Sequence, residues 1–310
     1  MQAKELRVAV LLPCYNEEAA VAQCVKSFAC ALPSARIFVF DNNSKDKTAE
    51  VASAAGAEVR REHRQGKGNV VRRMFADIDA DIYVMADGDA TYDASSVSTM
   101  VSLLVRDNLD MVVGCRTLDD SEAFRRGHRF GNKMLTSVLA WMFGRQFSDI
   151  LSGYRVFSRR FVKSFPSLSG GFEIETEITV HALEIKAAVG EVLTKYVARP
   201  AGSASKLNTY RDGRKILSAM ISLFRQERPA IFYGVLAGVL GAVAMGLSIP
   251  LLLTYLETGL VPRLPTAILA TGLILLAALS MVCGLILDTV TRGRREAKRL
   301  AYLSFPAVRG

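Results

Sequence analysis

The sequence predicts an α/β domain with a mostly parallel sheet flanked by helices, followed by two helices that cross a membrane as a hairpin. Three observations predict this fold: strand-like apolar runs alternate with helical patterns over the first 115 residues, two long uncharged segments follow residue 229, and basic residues flank them. The chain has 310 residues, of which 50% are hydrophobic and 22% charged, a composition that excludes disordered and fibrous proteins.

Four apolar runs and four helical stretches alternate in the predicted α/β domain. The strands are predicted at residues 8–12, 37–40, 82–85 and 111–113, and the helices at 17–31, 47–55, 69–78 and 95–105. Five scattered cysteines without a C-x-x-C pair predict free thiols, buried as small apolar side chains in a reducing compartment.

Two uncharged runs, 27 residues at 230–256 and 24 residues at 264–287, are each long enough to span a bilayer. Basic residues precede and follow the pair, whereas the link is neutral, so we expect both ends on the cytoplasmic side of an inner or plasma membrane. Gly234 and Gly238 indicate either close helix packing or tolerated membrane glycines.

Positive charge is concentrated in the last third of the chain. Residues 1–205 carry 26 basic and 25 acidic side chains, whereas residues 206–310 carry 13 and 5. This distribution favours an anionic membrane surface over nucleic acid as the partner. We expect a cytosolic catalytic domain at 1–207, an amphipathic interfacial helix at 208–228, the hairpin at 229–290 and a basic cytosolic tail at 291–310. The amphipathic stretch 125–143 fits a membrane contact or an ordinary core helix equally well.

Polar and acidic residues follow three of the predicted strands, where ligands bind in parallel sheets. They are Tyr15-Asn16-Glu17, Asp41-Asn42-Asn43-Ser44 and Asp87-Gly88-Asp89. Carboxylates gathered at one rim repel one another unless a cation joins them. Mg²⁺ or Mn²⁺ uses such oxygen ligands when it also binds a diphosphate. In an extended segment residues two apart point the same way, so Asp87 and Asp89 are expected to address one ligand.

Other nucleotide and hydrolase signatures are missing from the sequence. There is no G-x-G-x-x-G after the first strand, no complete P-loop around Lys67 and no G-x-S-x-G elbow. Lys67 stands at a glycine-punctuated helix start that could meet phosphate or ribose. Among Glu173, Glu175 and Glu177, solvent exposure is slightly favoured over contact with a sugar.

Five ordered motifs over residues 7–210 resemble glycosyltransferase family 2, in particular its polyprenyl-phosphate glycosyltransferases. The motifs begin at residues 13, 41, 87, 152 and 199, and read PCYNEE, DNNS, DGD, SGYR and RPAGSASK. The resemblance implies a GT-A fold, a nucleotide-sugar donor, Mg²⁺ or Mn²⁺, and inverting transfer of a hexose from a UDP-sugar to an undecaprenyl or dolichyl phosphate. A homo-oligomer is compatible with the sequence.

The resemblance also assigns residues to roles. It implies that the donor is bound by Pro13, Tyr15, Glu17, Asp41, Asn43, Lys67, Asp87 and Gly88, and the metal by Asp89 and Asp87. It places the acceptor phosphate at Arg116, His128, Asn132 and Ser205, with Arg126 and Arg129 equally well placed by their chemistry, and it assigns catalysis to Asp87, Asp89, Asp149, Arg199 and Lys206. Two positions depart from the family pattern, namely Asn42 in place of a second acidic residue and Thr91 in place of a glutamine ligand.

A lipid monophosphate acceptor is already an anion near neutral pH, so it needs cations to position it and no base to deprotonate it. The Arg116 region and the cluster at 125–129 supply such cations, although a solvated basic face or a membrane anchor explains each member equally well. Two alternatives remain: a processive polysaccharide synthase, for which the Q-x-x-R-W motif and further spans are missing, and a non-catalytic membrane adaptor that binds sugar nucleotides.

Overall fold

The computed structural model describes residues 6–116, 147–167, 170–171, 173–197 and 221–308. It divides the chain into two compact units. The first unit comprises Met1–Ile216 together with Ala297–Gly310, and the second comprises Leu217–Glu296. The last residues of the chain therefore belong to the same unit as the predicted catalytic domain.

The first unit is built on a seven-stranded sheet with the order β3-β2-β1-β4-β6-β5-β7. Only β6 runs antiparallel to its neighbours, so the predicted mostly parallel α/β fold is confirmed. The strands are β1 (Val8–Cys14), β2 (Arg36–Asp41), β3 (Glu58–Arg61), β4 (Ile82–Met85), β5 (Met111–Arg116), β6 (Arg155–Ser158) and β7 (Val189–Thr194).

Helices cover both faces of this sheet. Those described in the first unit are α1 (Val21–Ala31), α2 (Thr48–Ala54), α3 (Lys67–Asp77), α4 (Val97–Arg106), α5 (Arg159–Ser164) and α6 (Ile174–Ile185), with a short 3-10 turn at Ala94–Ser96. Alternate residues of β1 enter different hydrophobic clusters: Leu11 joins the side chains of α3 and α6, and Leu12 joins those of α1 and α4. This alternation follows from the two-residue period of a strand.

All four predicted strands are present, and β1, β2 and β5 are longer than predicted. Three strands were missed. β3 has four residues, two of them exposed, and β6 directly precedes a helix. Of the cysteines, Cys14, Cys24 and Cys115 are buried as expected, whereas Cys30 and Cys283 are exposed, so the expectation of burial is wrong for those two.

The end of the chain packs against the first unit. Lys298 Nζ lies 2.6 Å from Glu184 Oε2, and the hydroxyl of Tyr302 donates to Asp110 Oδ2 at 2.9 Å. Val308 is buried in the cluster formed by α1 and α4. The residues after 297 are therefore part of the fold of the α/β domain.

The second unit contains the two long apolar helices, α7 (Pro229–Thr258) and the part of α8 (Leu264–Leu303) that ends at Glu296. Their most apolar windows have mean hydropathies of 2.2 and 2.4 and are only 6% and 11% buried, so both helices are long and apolar enough to cross a membrane. The helices include the predicted spans 230–256 and 264–287.

Polar contacts tie the start of α7 to the distal part of α8. The buried carboxylate of Glu227 pairs with Arg294 and, at 3.1 Å, with Arg295. A side-chain carbon added to Gly284 would lie 3.0 Å from Tyr233 Cβ, so the helices approach closely there. Gly234 and Gly238 face open space among the described residues, which favours the interpretation as tolerated glycines.

Candidate functional site

The turn after β1 is fastened to the loop after β2. The backbone N–H of Asn16 donates to Ser44 Oγ at 2.9 Å, the N–H of Glu17 donates to Thr48 Oγ1 at 2.9 Å, and the N–H of Lys45 donates to Asn16 Oδ1 at 2.8 Å. Because β1 and β2 are parallel neighbours, their carboxyl ends meet at one rim of the sheet. Tyr15 and Glu17 lie on this turn and Pro13 lies near the end of β1, and all three residues are half-buried.

Asp41 ends β2 and Asn42 follows it, and both residues are only 3% exposed. Asp41 Oδ1 accepts from the N–H of Ser44 at 3.2 Å. Asn42 Nδ2 donates to the carbonyls of Glu62 and Arg64 at 2.9 and 2.8 Å, and its Oδ1 accepts from the N–H of Gly66 at 2.7 Å. Asn42 therefore organises the loop that leads into α3, which an aspartate could not do since it has no donor.

Asn43 continues the same rim. It is exposed, has a φ of 61° and donates from Nδ2 to the carbonyl of His63 at 2.8 Å. Asparagine tolerates the left-handed region better than most residues. The side chain thus links the loop after β2 to the loop after β3.

The D-x-D segment after β4 is a turn and not the extended segment that the sequence analysis assumed. Asp89 is 3% exposed, and its Oδ1 accepts from the N–H and the Oγ1 of Thr91 at 3.2 and 2.6 Å. Ala90 follows with a φ of 55°. A side-chain carbon on Gly88 would overlap Sγ of the buried Cys14, so close packing requires glycine at the centre of the turn.

Asp87 forms an ion pair with Lys67. Lys67 Nζ lies 2.5 Å from Asp87 Oδ1 and 2.6 Å from Glu175 Oε1, so one ammonium joins two carboxylates. Burial alone would lower the pKa of Lys67, but the charges of Asp87 and Glu175 outweigh it and raise that pKa above its ordinary value. Lys67 therefore stays protonated, and it supplies the cation that the predicted cluster of like charges requires.

Glu175 is the site residue that the sequence analysis missed. Its residue exposure is 6%, so the expectation that it faces solvent is wrong. It lies in the first turn of α6, distant in sequence from the start of α3, and only the folded chain brings Lys67 to it. The closely spaced acidic residues Glu173 and Glu175 were the feature of the sequence that could have identified it.

Arg116 and Asp149 form a bidentate ion pair at the end of β5. Arg116 Nε lies 2.7 Å from Asp149 Oδ2, and its terminal nitrogen lies 2.8 Å from Oδ1. The guanidinium carbon lies 5.5 Å from the centre of the Tyr196 ring. Burial opposes the charge of Arg116, but the hydrogen bonds that it donates to Asp149 and the negative charge of Asp149 raise the pKa of the guanidinium. The structure thus pairs Arg116, which was predicted to bind the acceptor phosphate, with Asp149, which was predicted to be catalytic.

The Ser152-Gly153-Tyr154-Arg155 motif is mainly a scaffold. Ser152 Oγ donates to the carbonyl of Gly114 at 2.6 Å, and the N–H of Gly153 donates to the hydroxyl of Tyr92 at 2.9 Å. Arg155 is fully buried and donates to the carbonyls of Ser152 and Ile150, at 2.9 and 2.5 Å. Burial lowers the pKa of Arg155 to about 10. Gly153 packs beside the D-x-D turn, because a carbon added to it would lie 2.9 Å from an oxygen of Asp87.

Several predicted site residues lie outside the described residues. They are Arg126, His128, Arg129, Asn132, Arg199, Ser205 and Lys206. The basic cluster at 125–129 and residues 208–220 of the expected interfacial helix lie outside them as well, whereas 221–227 are helical.

The model of glycosyl transferase family 2 matches residues 9–165, which span β1 to α5 and include the rim. The chain belongs to glycosyl transferase family 2. A related family member, glycosyltransferase AglJ of Haloferax volcanii, is 34% identical over 244 residues, covering 78% of this chain and 80% of AglJ. Dolichyl-phosphate hexose transferase of the same organism is 24% identical over 71% of this chain and 95% of its own length.

Solved glycosyltransferase structures share the fold of the first unit. A crystal structure of Mycobacterium tuberculosis glucosyl-3-phosphoglycerate synthase, in complex with Mn²⁺, UDP and glucosyl-3-phosphoglycerate, superposes with a TM-score of 0.56. It is 22% identical, and the alignment covers 70% of this chain and 79% of the synthase. The predicted GT-A fold is thereby confirmed.

The rim of this family 2 glycosyltransferase has few candidate metal ligands. Within the described ranges, no three His, Cys, Asp or Glu side chains lie together as a metal-binding group. One oxygen of Asp89 is engaged by Thr91, and one of Asp87 by Lys67. Mg²⁺ needs only one or two carboxylates when substrate phosphates and water complete its shell. The carboxylates of Asp87 and Asp89 therefore fit a metal ion that takes most of its ligands from a diphosphate.

Proposed function

We propose that the chain is a membrane-bound, inverting glycosyltransferase that moves a hexose from a nucleotide-sugar, in the first instance a UDP-sugar, to a polyprenyl phosphate. One observation carries the proposal: the ends of β2 and β4 bring Asp41, Asp87 and Asp89 to one rim of a family 2 domain, and the same chain continues into two apolar helices. The printed name of the dolichyl-phosphate hexose transferase relative supports a lipid phosphate acceptor.

The donor would bind at this rim. Pro13, Tyr15, Glu17, Asp41 and Asn43 are assigned to the nucleobase and ribose, because their turns are linked by hydrogen bonds into one surface. Gly88 and the ammonium of Lys67 lie beside the D-x-D turn and are assigned to the diphosphate side. The synthase crystallised with Mn²⁺ and UDP supports such a donor site in this fold.

Asp89, with Asp87, would hold Mg²⁺ or Mn²⁺. When bound, the ion would neutralise charge on the departing nucleoside diphosphate. The protein contributes the two carboxylates: Thr91 fixes Asp89 by two hydrogen bonds, whereas Asp87 is paired with Lys67. Arg199 and Lys206 are assigned to the same leaving group as cations.

The acceptor needs positioning more than proton removal, because its phosphate is already anionic near neutral pH. Arg116 is assigned to that phosphate, with Arg126, His128, Arg129, Asn132 and Ser205 as further ligands. Asp149 fixes the plane of the Arg116 guanidinium through two hydrogen bonds, and it is assigned to contact with the sugar. A guanidinium held in a fixed plane binds a phosphate with a defined geometry.

The apolar helices would bring this site to its lipid acceptor. We assign 1–207 to the cytosolic catalytic domain, 208–228 to an interfacial helix, 229–290 to a transmembrane hairpin and 291–310 to a basic cytosolic tail. From residue 297 onward this tail belongs to the α/β unit. Basic residues on both flanks of the hairpin support cytoplasmic termini in a plasma or inner membrane. The most apolar windows of the two helices are only 6% and 11% buried, which suits contact with lipid.

The decisive experiment supplies candidate donors and one acceptor to membranes that contain the full chain. UDP-glucose, UDP-N-acetylglucosamine, UDP-galactose and GDP-mannose, each radiolabelled, are incubated with undecaprenyl phosphate and Mg²⁺ or Mn²⁺. We expect one label to enter an organic-extractable lipid, and Asp89→Ala to abolish this while the protein still folds. Label in a polymer would support a polysaccharide synthase, and retained donor without product would support an adaptor; either outcome contradicts the proposal.

A further inference from the structure

Glu175 lies in the rim but has no role in the proposed reaction. Its side chain is 8% exposed, that of Lys67 is 10% exposed, and that of Asp87 is 30% exposed. The buried part of the bridge is thus the pair of Lys67 and Glu175, whereas Asp87 is its most solvent-accessible member. A ligand that enters the rim reaches Asp87 first.

The backbone around Glu175 is fixed from two sides. Thr179 Oγ1 donates to the carbonyl of Glu175 at 2.9 Å and accepts from Arg155 at 2.9 Å. Beside α6, the N–H of Gly68 donates to the carbonyl of Gly171 at 3.1 Å, which ties the start of α3 to the loop before α6. The positions of Lys67 and Glu175 relative to each other are therefore set by the scaffold, independently of any donor.

The charges in this bridge have a consequence for binding. Two carboxylates and one ammonium leave one net negative charge, so Asp87 remains available to a cation or to a ribose hydroxyl. Without Glu175, the ammonium would neutralise Asp87 completely and would lose its only other carboxylate partner among the described residues. A buried charge without a partner is strongly unfavourable, so Lys67 would then hold Asp87 more tightly.

We infer that Glu175 is a positioning residue, which holds the ammonium of Lys67 in the rim so that Asp87 can turn to the donor nucleotide. The inference rests on the proposed function, since it takes the rim to be the donor site. On this account Glu175 touches no substrate. It acts only through Lys67, and this dependence can be measured.

A double-mutant cycle tests the inference with the full chain in detergent. Binding of UDP and GDP in the presence of Mn²⁺ is measured by calorimetry for wild type, Glu175→Gln, Lys67→Met and the double variant, and the melting temperature of each is recorded. Glu173→Gln is the matched control, because Glu173 is an exposed carboxylate that directly precedes the same helix. Glu175→Asp retains the charge on a shorter side chain.

We expect Glu175→Gln to weaken nucleotide binding about tenfold in the wild-type background, and to have almost no effect once Lys67 is methionine, because interacting residues are non-additive. The double variant should melt at a higher temperature than Lys67→Met alone, since it removes an unpaired buried carboxylate. Glu175→Asp should recover part of the binding, and Glu173→Gln should bind as wild type does.

Equal weakening by Glu175→Gln in both backgrounds would overturn the inference, and so would an equal effect of Glu173→Gln. If wild type binds neither nucleotide, the proposed function is contradicted. The melting temperatures then still decide whether Glu175 acts through Lys67, because additive losses of stability would disprove that coupling.

Discussion

The guanidinium of Arg116 and the carboxylate of Asp149 meet side-on, with two nitrogen–oxygen distances of 2.7 and 2.8 Å. Both side chains are largely buried, at 14% and 10% exposure. A buried pair of this geometry differs from a surface pair, because either partner alone would be a desolvated charge. The arrangement therefore stabilises the end of β5 and fixes the orientation of the guanidinium.

Replacement of Asp149 by asparagine should destabilise the protein by about 3 kcal/mol, because it leaves the guanidinium without its counter-charge. The measurement is the free energy of unfolding in detergent, followed by fluorescence. Asp107→Asn is the control, since Asp107 pairs with Arg106 at 2.8 Å but the two side chains are 42% and 72% exposed. That variant should lose much less stability than Asp149→Asn, because water screens an exposed pair. Equal losses in the two variants would contradict the structural role of the buried pair.

Replacement of Asn42 by aspartate should detach the loop that precedes α3. The carbonyls of Glu62 and Arg64 would lose their donor and would face a carboxylate, so we expect a loss of about 2–4 kcal/mol. Asn43→Asp is the control, since Asn43 is exposed and makes one such bond, to His63. Unfolding in urea compares the two variants, and similar midpoints would show that Asn42 does not organise the loop.

Replacement of Gly88 by alanine should distort the D-x-D turn, because the added methyl group would overlap Sγ of Cys14. Overpacking of this kind typically destabilises by about 1–3 kcal/mol. The second substitution Cys14→Ala removes the sulfur and should restore both stability and glycosyl transfer to the level of Cys14→Ala alone. A double variant as impaired as Gly88→Ala would show that the collision with Cys14 is not the cause.

His181 should make stability depend on pH. Burial lowers its pKa to about 3, and the ring lies between Phe161 and Phe165 with Nε2 3.0 Å from Ser164 Oγ. Since the folded pKa lies below the unfolded value of about 6.5, the stabilisation is complete above pH 6.5 and is lost as pH falls towards 3.

The test is the free energy of unfolding at pH 7 and pH 5 for wild type and His181→Gln. Between these values the histidine should account for about 2 kcal/mol of lost stability. Between pH 7 and pH 5, the free energy of unfolding of His181→Gln should fall by about 2 kcal/mol less than that of wild type, whatever its value at pH 7. The same pH dependence in both proteins would show that His181 is not responsible.

The sequence allowed the sheet to be predicted where apolar runs are long and bounded by turn residues, as in β1 and β4. It failed for β3, because Glu58, Arg60 and Arg61 interrupt the apolar pattern of that short strand. The three acidic strand ends were found because the carboxyl ends of parallel strands share a rim.

The contacts within the rim could not be predicted in the same way. The bridge from Lys67 to Glu175 joins the starts of two helices, and no local pattern specifies which buried carboxylate meets which ammonium. The role of Asn42 also depends on a loop that begins at Glu62 and on the geometry of two carbonyl groups. Local spacing indicates where polar side chains gather, whereas tertiary packing determines how they pair.

The most direct test of the central claim is the choice of acceptor by the purified full chain in detergent. A labelled nucleotide-sugar that the membranes accept is offered together with undecaprenyl phosphate or with water-soluble hydroxyl compounds, each with and without a chelator. The account predicts that label enters only the prenyl phosphate, and that chelation stops the transfer. Ready glycosylation of the soluble hydroxyl compounds with no transfer to the prenyl phosphate, or turnover unaffected by the chelator, would contradict it.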